Sequence, residues 1–594
     1  MKYKNNGTNA FAHDTRYTIQ DTRGVTFIDT LVAISLMLLI FLGIFGAFQL
    51  SVDVVTNNKA RAGAVALADE RMEYIRSLPY TSIGTSGGIP AGSLAQTESV
   101  SLNGINYTRR TLVVYADDPK DGTGASDTTG VTDYKAVKVN VSWSSRTGER
   151  NLYLVSRFEP LNGLESAVAG GTLVVNVVNA NSQPVSSAQV TVTNTSVSPA
   201  VNLTTYTNTS GVVTLVGVPA ATNYAIVATK SGYSTAQTYT SNAQNPNPVP
   251  AHLTVSNNQT TSATFAIDLL SSLSVTTYSL STGTWTDSFT DSSKIGPGTY
   301  YIEVAGNQAR FEGNQPWTGP ADLRSIPITP VALSRWGIFS WHDNRPSLTT
   351  ITYHVYYPSG SSLALVPDSV LPGNSAGFST ETQTSVDLSV IPAQLYPTLV
   401  LDAYLVAQDP NAPSPTIQDW SLTYESGQGI SIPFTLKGAK VIGSGPPVIY
   451  KYNQVITTSQ SGTITLPNME WDTYTMSVNA STGYDISSSC IPQPIVLSPN
   501  STAATLLYLS PHTSNSLLVD AKSSSGTYLS GARVRLTKGG SYDQTIYADA
   551  CGQAFFPSLT NGSYSISISA SGYQTYTSSG VNVSGTSRLS AVLN

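Results

Sequence analysis

Charged side chains are scarce in this sequence. Asp, Glu, Lys and Arg make up 11% of the 594 residues, and their balance gives a net charge of -6. Nucleic-acid binding depends on clustered basic side chains that neutralise phosphates. We therefore expect no nucleic-acid partner.

Cysteine and histidine are also rare. The chain has 2 Cys, at Cys490 and Cys551, and 5 scattered His. A disulfide scaffold or a zinc site needs more of these residues at closer spacing. The two thiols either form one bridge between neighbouring domains, in an oxidising compartment, or are buried separately.

Catalytic motifs are not evident either. No Ser-His-Asp, HExxH, Cys-His or phosphate-loop pattern stands out along the chain. We therefore predict that the protein is not an enzyme and that it has no cofactor, with calcium as the one ion to be considered below.

Small, polar and aromatic residues are abundant. The chain has 46 Gly, 33 Pro and 32 Tyr, and hydrophobic residues make up 40%. This composition is typical of many short strands joined by polar turns, and the length calls for several cores. The predicted fold class is a long N-terminal helix followed by a multidomain all-β region.

One apolar run, residues 30–52, contains no charge. About 20 such residues are enough to span a bilayer as a helix. Lys and Arg outnumber Asp in the residues before it, which favours an N-terminus on the cytoplasmic side of the inner membrane and the rest of the chain outside.

The helical pattern continues beyond the apolar run. Val65, Ala68, Met72 and Ile75 recur at helical spacing, and Pro79 ends the pattern. We predict one helix over residues 25–78, with its first half in a membrane or filament core and its second half packed under a β-domain.

The segment before the apolar run contains Gly24, Val25 and Asp29, within the sequence RGVTFIDTL. It resembles the processing site of type IV prepilins and type II secretion pseudopilins, in which the leader ends at Gly and the fifth mature residue is an acid. The family has Phe and Glu where this chain has Val25 and Asp29.

The resemblance implies the following roles. A prepilin peptidase and methyltransferase would remove the leader, residues 1–24, and methylate the new N-terminus at Val25. Asp29 would pair with the charged N-terminus of a neighbouring subunit, because an unpaired charge in lipid is costly. The mature chain would leave the membrane for an extracellular filament or the cell surface.

Residues 79–165 follow the helix with alternating runs that indicate a pilin-like β-head. Between these runs is an acidic loop that includes Asp117, Asp118 and Asp121. Oxygen-rich loops can bind calcium, as some pseudopilin heads do, but no EF-hand spacing is present. A solvated turn is the alternative.

A repeat then occurs three times, with a Gly, a Tyr and a Gly-Tyr pair at similar spacing. It resembles the carboxypeptidase regulatory-like β-sandwich of bacterial surface proteins, a module without peptidase chemistry. We assign three such domains to residues 166–268, 427–511 and 512–594. The three copies are Gly211, Tyr224 and Gly232–Tyr233, then Gly462, Tyr474 and Gly483–Tyr484, then Gly552, Tyr564 and Gly572–Tyr573.

Residues 269–426 differ from the repeats and contain five of the 7 Trp. Their alternating runs predict a larger, jelly-roll-like sandwich. Trp341, Tyr356, Tyr357 and Trp420 are candidates for an aromatic platform that binds glycan, and core packing is the alternative.

These observations favour a minor pilin or pseudopilin subunit of a type IV filament system that presents β-domains for adhesion at a pilus tip. The expected partners are other pilin subunits, the membrane and a glycan or surface ligand. Two alternatives are a single-pass surface protein outside any filament and an anchored polysaccharide hydrolase. The motif and the long helix favour the filament subunit over the surface protein, and the lack of an evident catalytic pattern disfavours the hydrolase.

Overall fold

The computed structural model describes residues 27–116, 132–146, 148–161, 168–317 and 319–594. These residues form two compact units. The first extends to Gly170 and includes Val197–Leu203 and Leu215–Val218, and the second contains the remainder. A long helix precedes an all-β region, as the predicted fold class requires.

Helix α1 (Phe27–Arg76) has an exposed half and a packed half. The apolar side chains from Phe27 to Val55 are exposed, as expected for a segment whose environment is lipid or other helices. The second half buries a stripe of small and apolar residues, and Val65, predicted on this stripe, is instead 37% exposed because Ala64 faces the sheet. The buried stripe consists of Ala60, Ala64, Leu67, Ala68, Met72 and Ile75.

The packed half of α1 covers a four-stranded antiparallel meander in the order β1-β2-β3-β4. Val137, Val139 and Val141 alternate onto the helix-facing side and are fully buried. Tyr107 donates its hydroxyl proton to Ala60 O at 2.9 Å, which ties the sheet to the helix. The strands are β1 (Thr97–Leu102), β2 (Ile105–Ala116), β3 (Tyr134–Ser145) and β4 (Gly148–Phe158), after a 3-10 turn at Tyr80–Ser82.

The first sandwich has one sheet in the order β10-β9-β6-β7, with β11 also on β9, and a second in the order β12-β5-β8. The last strand, β12, runs parallel to the first, β5, whereas β9 is antiparallel to β6, β10 and β11. The strands are β5 (Gly171–Val178), β6 (Gln189–Asn194), β7 (Val201–Tyr206), β8 (Val212–Val218), β9 (Ala221–Thr229), β10 (Ala236–Gln237), β11 (Leu253–Val255) and β12 (Thr260–Ala266).

The next strand, β13 (Ser271–Asp287), belongs to two domains. Its second half pairs with β22 in a large two-sheet sandwich whose other sheet has the order β16-β21-β18-β19. Both sheets contribute to one core rich in Trp, Phe and Leu. The other strands are β14 (Ile302–Val304), β15 (Ala309–Phe311), β16 (Ala321–Arg324), β17 (Leu333–Asn344), β18 (Thr349–Ser359), β19 (Ser362–Leu365), β20 (Ser385–Asp387), β21 (Val400–Ala407) and β22 (Thr416–Gly429).

The first half of β13 lies in the second sandwich. Leu273 and Val275 are in its core, beside Phe434 and Tyr474. One sheet of this sandwich has the order β26-β23-β28-β30, and β13 pairs with β27 and β31 in the other. The strands are β23 (Pro433–Gly438), β24 (Val441–Gly443), β25 (Ile449–Tyr450), β26 (Asn453–Thr457), β27 (Thr463–Met469), β28 (Asp472–Ser477), β29 (Tyr484–Cys490), β30 (Ile495–Leu497) and β31 (Thr502–Pro511), with a 3-10 turn at Ala480–Thr482.

The large sandwich is therefore an insertion in the second repeat. The chain leaves the second sandwich at Tyr278 and returns at Gly429, and these two residues are paired across β13 and β22. The sequence-based boundaries at 269 and 427 differ from this arrangement, because the first strand of the second sandwich lies before the insertion. We call the inserted part, residues 279–428, the inserted domain.

The third sandwich repeats the arrangement of the first. Its first strand lies between the last strand, which is parallel to it, and a middle strand. The second sheet has the order β34-β33-β36-β37. The strands are β32 (Ser516–Ser523), β33 (Arg533–Lys538), β34 (Tyr542–Tyr547), β35 (Gln553–Phe556), β36 (Gly562–Ser569), β37 (Tyr576–Val583) and β38 (Thr586–Leu593).

The first repeat glycine occupies equivalent places in the three sandwiches. Gly211, Gly462 and Gly552 have φ values of 74, 79 and 72°. Each accepts a backbone hydrogen bond from the first strand, at 2.8, 2.8 and 3.0 Å. A side chain at Gly462 would also meet Thr277 O at 2.4 Å, so the left-handed turn and the close approach both require glycine.

The two cysteines form a disulfide between the second and third sandwiches. The Cα atoms of Cys490 and Cys551 are 5.2 Å apart. Beside the bridge, Ser488 Oγ donates to Gln553 Oε1 at 3.1 Å. Of the two alternatives for these residues, the structure has the bridge, and the second and third sandwiches are covalently connected twice.

Candidate functional site

The residues of the predicted processing site are mostly outside the described part of the chain. Gly24 and Val25 precede it, and Asp29 lies in α1 by its backbone, while its side chain is not described. The acidic loop with Asp117, Asp118 and Asp121 is also outside the described residues. The roles of these residues remain predictions.

Two of the four predicted platform aromatics are core residues. Trp341 is 1% exposed and stacks on Tyr353, with 4.2 Å between ring centroids. Trp420 is fully buried in the same core. Of the two alternatives for Trp341 and Trp420, the structure has core packing, because both indole rings face the interior of the inserted domain and cannot stack on a sugar.

The other two aromatics lie near the surface of the four-stranded sheet. Tyr357 packs edge-on against Tyr396, with ring centroids 4.7 Å apart. Tyr356 is half-buried on the outer face of β18, and the Arg324 guanidinium is 5.6 Å from its ring centroid. Tyr356 thus belongs to a polar cluster on the outer face of this sheet.

Strands β16, β18 and β21 alternate between the core and the outer face of this sheet. Leu323, Val355 and Leu401 point into the core and are fully buried. Since side chains alternate along a strand, their neighbours point outward. Asp322, Arg324, Tyr356, Asp402 and Tyr404 therefore share the outer face, which we call the acid–tyrosine face.

Strand pairing places these side chains in rows. Arg324, Asp402 and His354 are cross-strand neighbours in one row. Asp322 and Tyr404 are neighbours in the next row. Cross-strand neighbours on one face have Cβ atoms about 5 Å apart, so the pairing brings the charged groups into contact.

Arg324 connects the two carboxylates. Its Nε donates to Asp402 Oδ1 at 2.9 Å, and its Nη2 donates to Asp322 Oδ2 at 2.9 Å. The side chains of Asp322 and Asp402 are 8% and 4% exposed, against 25% for Arg324. The guanidinium is therefore held in one orientation, with Nη1 outside this network.

Two buried polar atoms of the face have no hydrogen-bond partner among the described residues. These atoms are Asp322 Oδ1 and His354 Nδ1. The imidazole nitrogen is 3.6 Å from Asp402 Oδ2, which is too long for a hydrogen bond. Buried polar groups in native proteins usually have a hydrogen-bond partner, so unpaired ones are candidates for a functional site.

The two carboxyl groups titrate differently. Burial, together with the adjacent Asp402, raises the pKa of Asp322 to about 7. Burial also opposes ionisation of Asp402, but contacts with His354, Asp322 and Arg324 outweigh it and lower the pKa of Asp402. Below neutral pH the pair therefore carries about one negative charge, which Arg324 balances.

Exposed tyrosines surround this charged centre. Tyr300 exchanges backbone hydrogen bonds with Asp322 and is 42% exposed, while Tyr301 is 58% and Tyr404 is 36% exposed. Burial, with the nearby Asp322 carboxylate, raises the pKa of Tyr300 above its usual value. The face thus combines fixed hydrogen-bonding groups with rings that are open to solvent.

Sequence reasoning did not identify most of this face. It selected only Tyr356 of the cluster, and the acids Asp343 and Asp419 of the same domain lie outside it. Asp343 instead accepts from Tyr353 Oη at 2.9 Å, and Asp419 contacts His342. The signal that could have been used is the pair of charges at alternate positions, Asp322 and Arg324, in a strand flanked by apolar residues.

Comparison with known proteins identifies one family. The carboxypeptidase regulatory-like domain family matches residues 519–594, which make up most of the third sandwich. This match confirms the predicted resemblance for that copy of the repeat. No curated protein matches the chain.

Several solved structures are similar to parts of this chain. The Bacillus anthracis TIE protein is 9% identical, with 84% of this chain and 73% of that chain covered and a TM-score of 0.15. BcpA, the major pilin subunit of Bacillus cereus, is 10% identical over 72% of this chain and 99% of its own, with a TM-score of 0.13. The major pilin SpaD from Corynebacterium diphtheriae is 10% identical over 72% and 98%, with a TM-score of 0.12.

Proposed function

We propose that this chain is a minor pilin or pseudopilin subunit of a type IV filament system, with β-domains that serve adhesion outside the cell. The observation that carries the proposal is helix α1. Its apolar half is exposed, and its other half packs on an antiparallel four-stranded sheet. An exposed apolar helix of this length requires lipid or neighbouring helices as its environment.

Two further features support the proposal. The motif at Gly24, Val25 and Asp29 precedes α1 at the position expected for prepilin processing. The Cys490–Cys551 disulfide is compatible with the oxidising compartment outside the cytoplasm.

The acid–tyrosine face favours binding over hydrolysis. A glycosidase needs two carboxyl groups about 5–10 Å apart, with the sugar bond between them. Here Arg324 bridges Asp322 and Asp402 by hydrogen bonds of 2.9 Å, which occupies an oxygen of each group. Adhesion through this domain therefore has better support than the anchored hydrolase.

Incorporation of an Asp29→Ala variant into filaments tests the proposal. In cells that have the peptidase, we expect the variant to remain in the membrane fraction, because the substitution makes the helix more apolar, and to be lost from sheared filaments. Asp69→Ala is the control, since Asp69 is an exposed acid in the packed half of the same helix. Equal filament content of the wild type and Asp29→Ala would favour a surface protein that is not part of a filament.

A further inference from the structure

We propose that the acid–tyrosine face binds a neutral glycan, with exposed tyrosine rings stacked on sugar rings and Arg324 donating to sugar hydroxyls. This inference rests on the proposed adhesive function and gives it a site and a ligand class.

The Arg324 guanidinium is held in place without a ligand. A flexible arginine loses side-chain entropy when a ligand immobilises it. In this face the two carboxylates already hold the guanidinium, and Gly298 leaves room for it, because a side chain there would meet Arg324 Nη1 at 2.6 Å. The donors outside the ion pairs are thus oriented before any ligand arrives.

Two tyrosine rings of the face are open to solvent. Tyr300 and Tyr404 flank Asp322, the former by backbone hydrogen bonds at the sheet edge and the latter as its cross-strand neighbour. Both are more than one-third exposed. Aromatic rings offer apolar faces and a polar tip, which suits ligands that have both apolar C–H surfaces and hydroxyl groups.

The charges of the face favour a neutral ligand. One arginine lies against two buried carboxyl groups, so the face has no excess positive charge to attract an anionic ligand. A cationic ligand would compete with Arg324 for the same carboxylates. A neutral, ring-bearing and hydroxyl-rich chain fits this balance, whereas uronic-acid polymers and acidic peptides do not.

The unpaired Asp322 Oδ1 also points to a ligand. Its side chain is 8% exposed, and the atom has no partner among the described residues. A sugar hydroxyl that donates to this atom would complete its hydrogen bonding.

The test uses the purified full chain in a detergent without a sugar head group, because such a head group would compete for the site. Binding is measured on an array of neutral and uronic-acid oligosaccharides, and affinities for the neutral ligands found there follow by titration. The variants are Tyr300→Ala with Tyr404→Ala, and Arg324→Gln. Tyr206→Ala, an exposed tyrosine of the first sandwich, is the control.

We expect wild type and Tyr206→Ala to bind neutral oligosaccharides equally. The double tyrosine variant and Arg324→Gln should each lose about ten-fold or more in affinity, as central interface residues do. Unchanged tryptophan fluorescence would show that the inserted domain is folded in each variant.

Three results would overturn the proposal. They are no binding of neutral glycan by the wild type, preference for the uronic-acid ligands, and neutral-glycan binding that survives both variants. Since binding is measured in detergent, these results are independent of filament incorporation, so failure of this site and failure of the filament proposal are distinguishable.

Discussion

At the scale of single residues, the repeat tyrosine has a structural role. Tyr224, Tyr474 and Tyr564 are each at most 2% exposed and donate their hydroxyl proton to a backbone carbonyl four or five residues earlier. The distances are 2.6, 2.8 and 3.0 Å. Burial raises the pKa of Tyr224 to about 12, as expected for a phenol that remains protonated.

Replacement of Asp322 tests the electrostatics of the acid–tyrosine face. A raised pKa stabilises the folded state below the ordinary Asp value and removes that stability as pH rises towards 7. Asp322→Asn imitates the protonated acid, so it should stabilise the inserted domain at pH 8, on the order of 1–2 kcal/mol after allowance for solvent screening, and have little effect at pH 4. The groups facing Asp322 are Asp402, Arg324, Tyr300 and Tyr404.

Thermal unfolding monitored by tryptophan fluorescence measures this effect, since five of the 7 Trp are in the inserted domain and in the part of β13 that pairs with it. The lowered pKa of Asp402 acts in the opposite direction, and His354 and Arg324 still lower it in the variant. If Asp322→Asn shifts the transition equally at both pH values, Asp322 does not carry the raised pKa.

The glycines of the second sandwich provide a matched pair. Gly462 and Gly483 have φ values of 79 and 81°, so an alanine at either position costs roughly 1–2 kcal/mol in backbone strain. Only Gly462 would in addition place its Cβ 2.4 Å from Thr277 O, whereas nothing lies within 4 Å at Gly483. Gly462→Ala should therefore be the more destabilising, by about 2 kcal/mol or more.

Hydrogen exchange of peptides 271–278 and 463–469 reports this difference locally. Gly462→Ala should accelerate exchange in both peptides, although they are far apart in sequence, because both belong to one sheet. Equal exchange in the two variants would argue against the close contact of Gly462 with β13.

At the scale of elements, the sequence predicted what is local and missed what is distant. The apolar run and Pro79 define α1, and the repeat glycines and tyrosines define the sandwiches, because these signals depend on neighbouring residues. Alternation in β13 could not show that Leu273 belongs to the core of residues 433–507, since a strand pattern does not identify its partner. Alternation also did not show which side of β17 is interior, so both surface stacking and core packing stayed open for Trp341.

Excision of the inserted domain tests the insertion directly. Leu280 and Gly427 are paired across β13 and β22, so a two-residue Asn-Gly turn can replace residues 281–426 and close a hairpin. We expect the shortened chain to retain a folded second sandwich, seen as slow hydrogen exchange at 502–509. Deletion of 269–426 removes the strand that pairs with β31 and should expose this segment.

If both deletions leave residues 502–509 equally protected, the first strand of the second sandwich lies elsewhere. The shorter excision also removes the acid–tyrosine face and keeps the strands of the second sandwich. It therefore serves as a second test of adhesion.

At the scale of the whole molecule, the C-terminal part is a connected assembly. The inserted domain touches the third sandwich, where Ala550 N donates to Ser334 O at 3.2 Å. The disulfide links the second and third sandwiches close to this contact. A cavity of about 330 Å³ lies beside it and is lined by residues that include Arg335, Ser488 and Asp549. Burial raises the pKa of Asp549 to about 6.

Loss of the disulfide should weaken this assembly. Cys490→Ser with Cys551→Ser removes a crosslink between residues 61 apart, for which a cost of about 2–4 kcal/mol is typical. We expect a lower thermal transition and faster exchange at 553–556, whereas reductant should not affect the variant further. An unchanged transition would mean that the packing around Gln553 is sufficient without the bridge.

The central claim, that the chain is a processed filament subunit, is tested most directly by mass spectrometry of the N-terminus in purified surface filaments. The account predicts a mature chain that begins at Val25 and carries a methyl group on its N-terminal amine. An intact leader on the chain recovered from cells that have the peptidase, or filaments that lack the chain altogether, would contradict it.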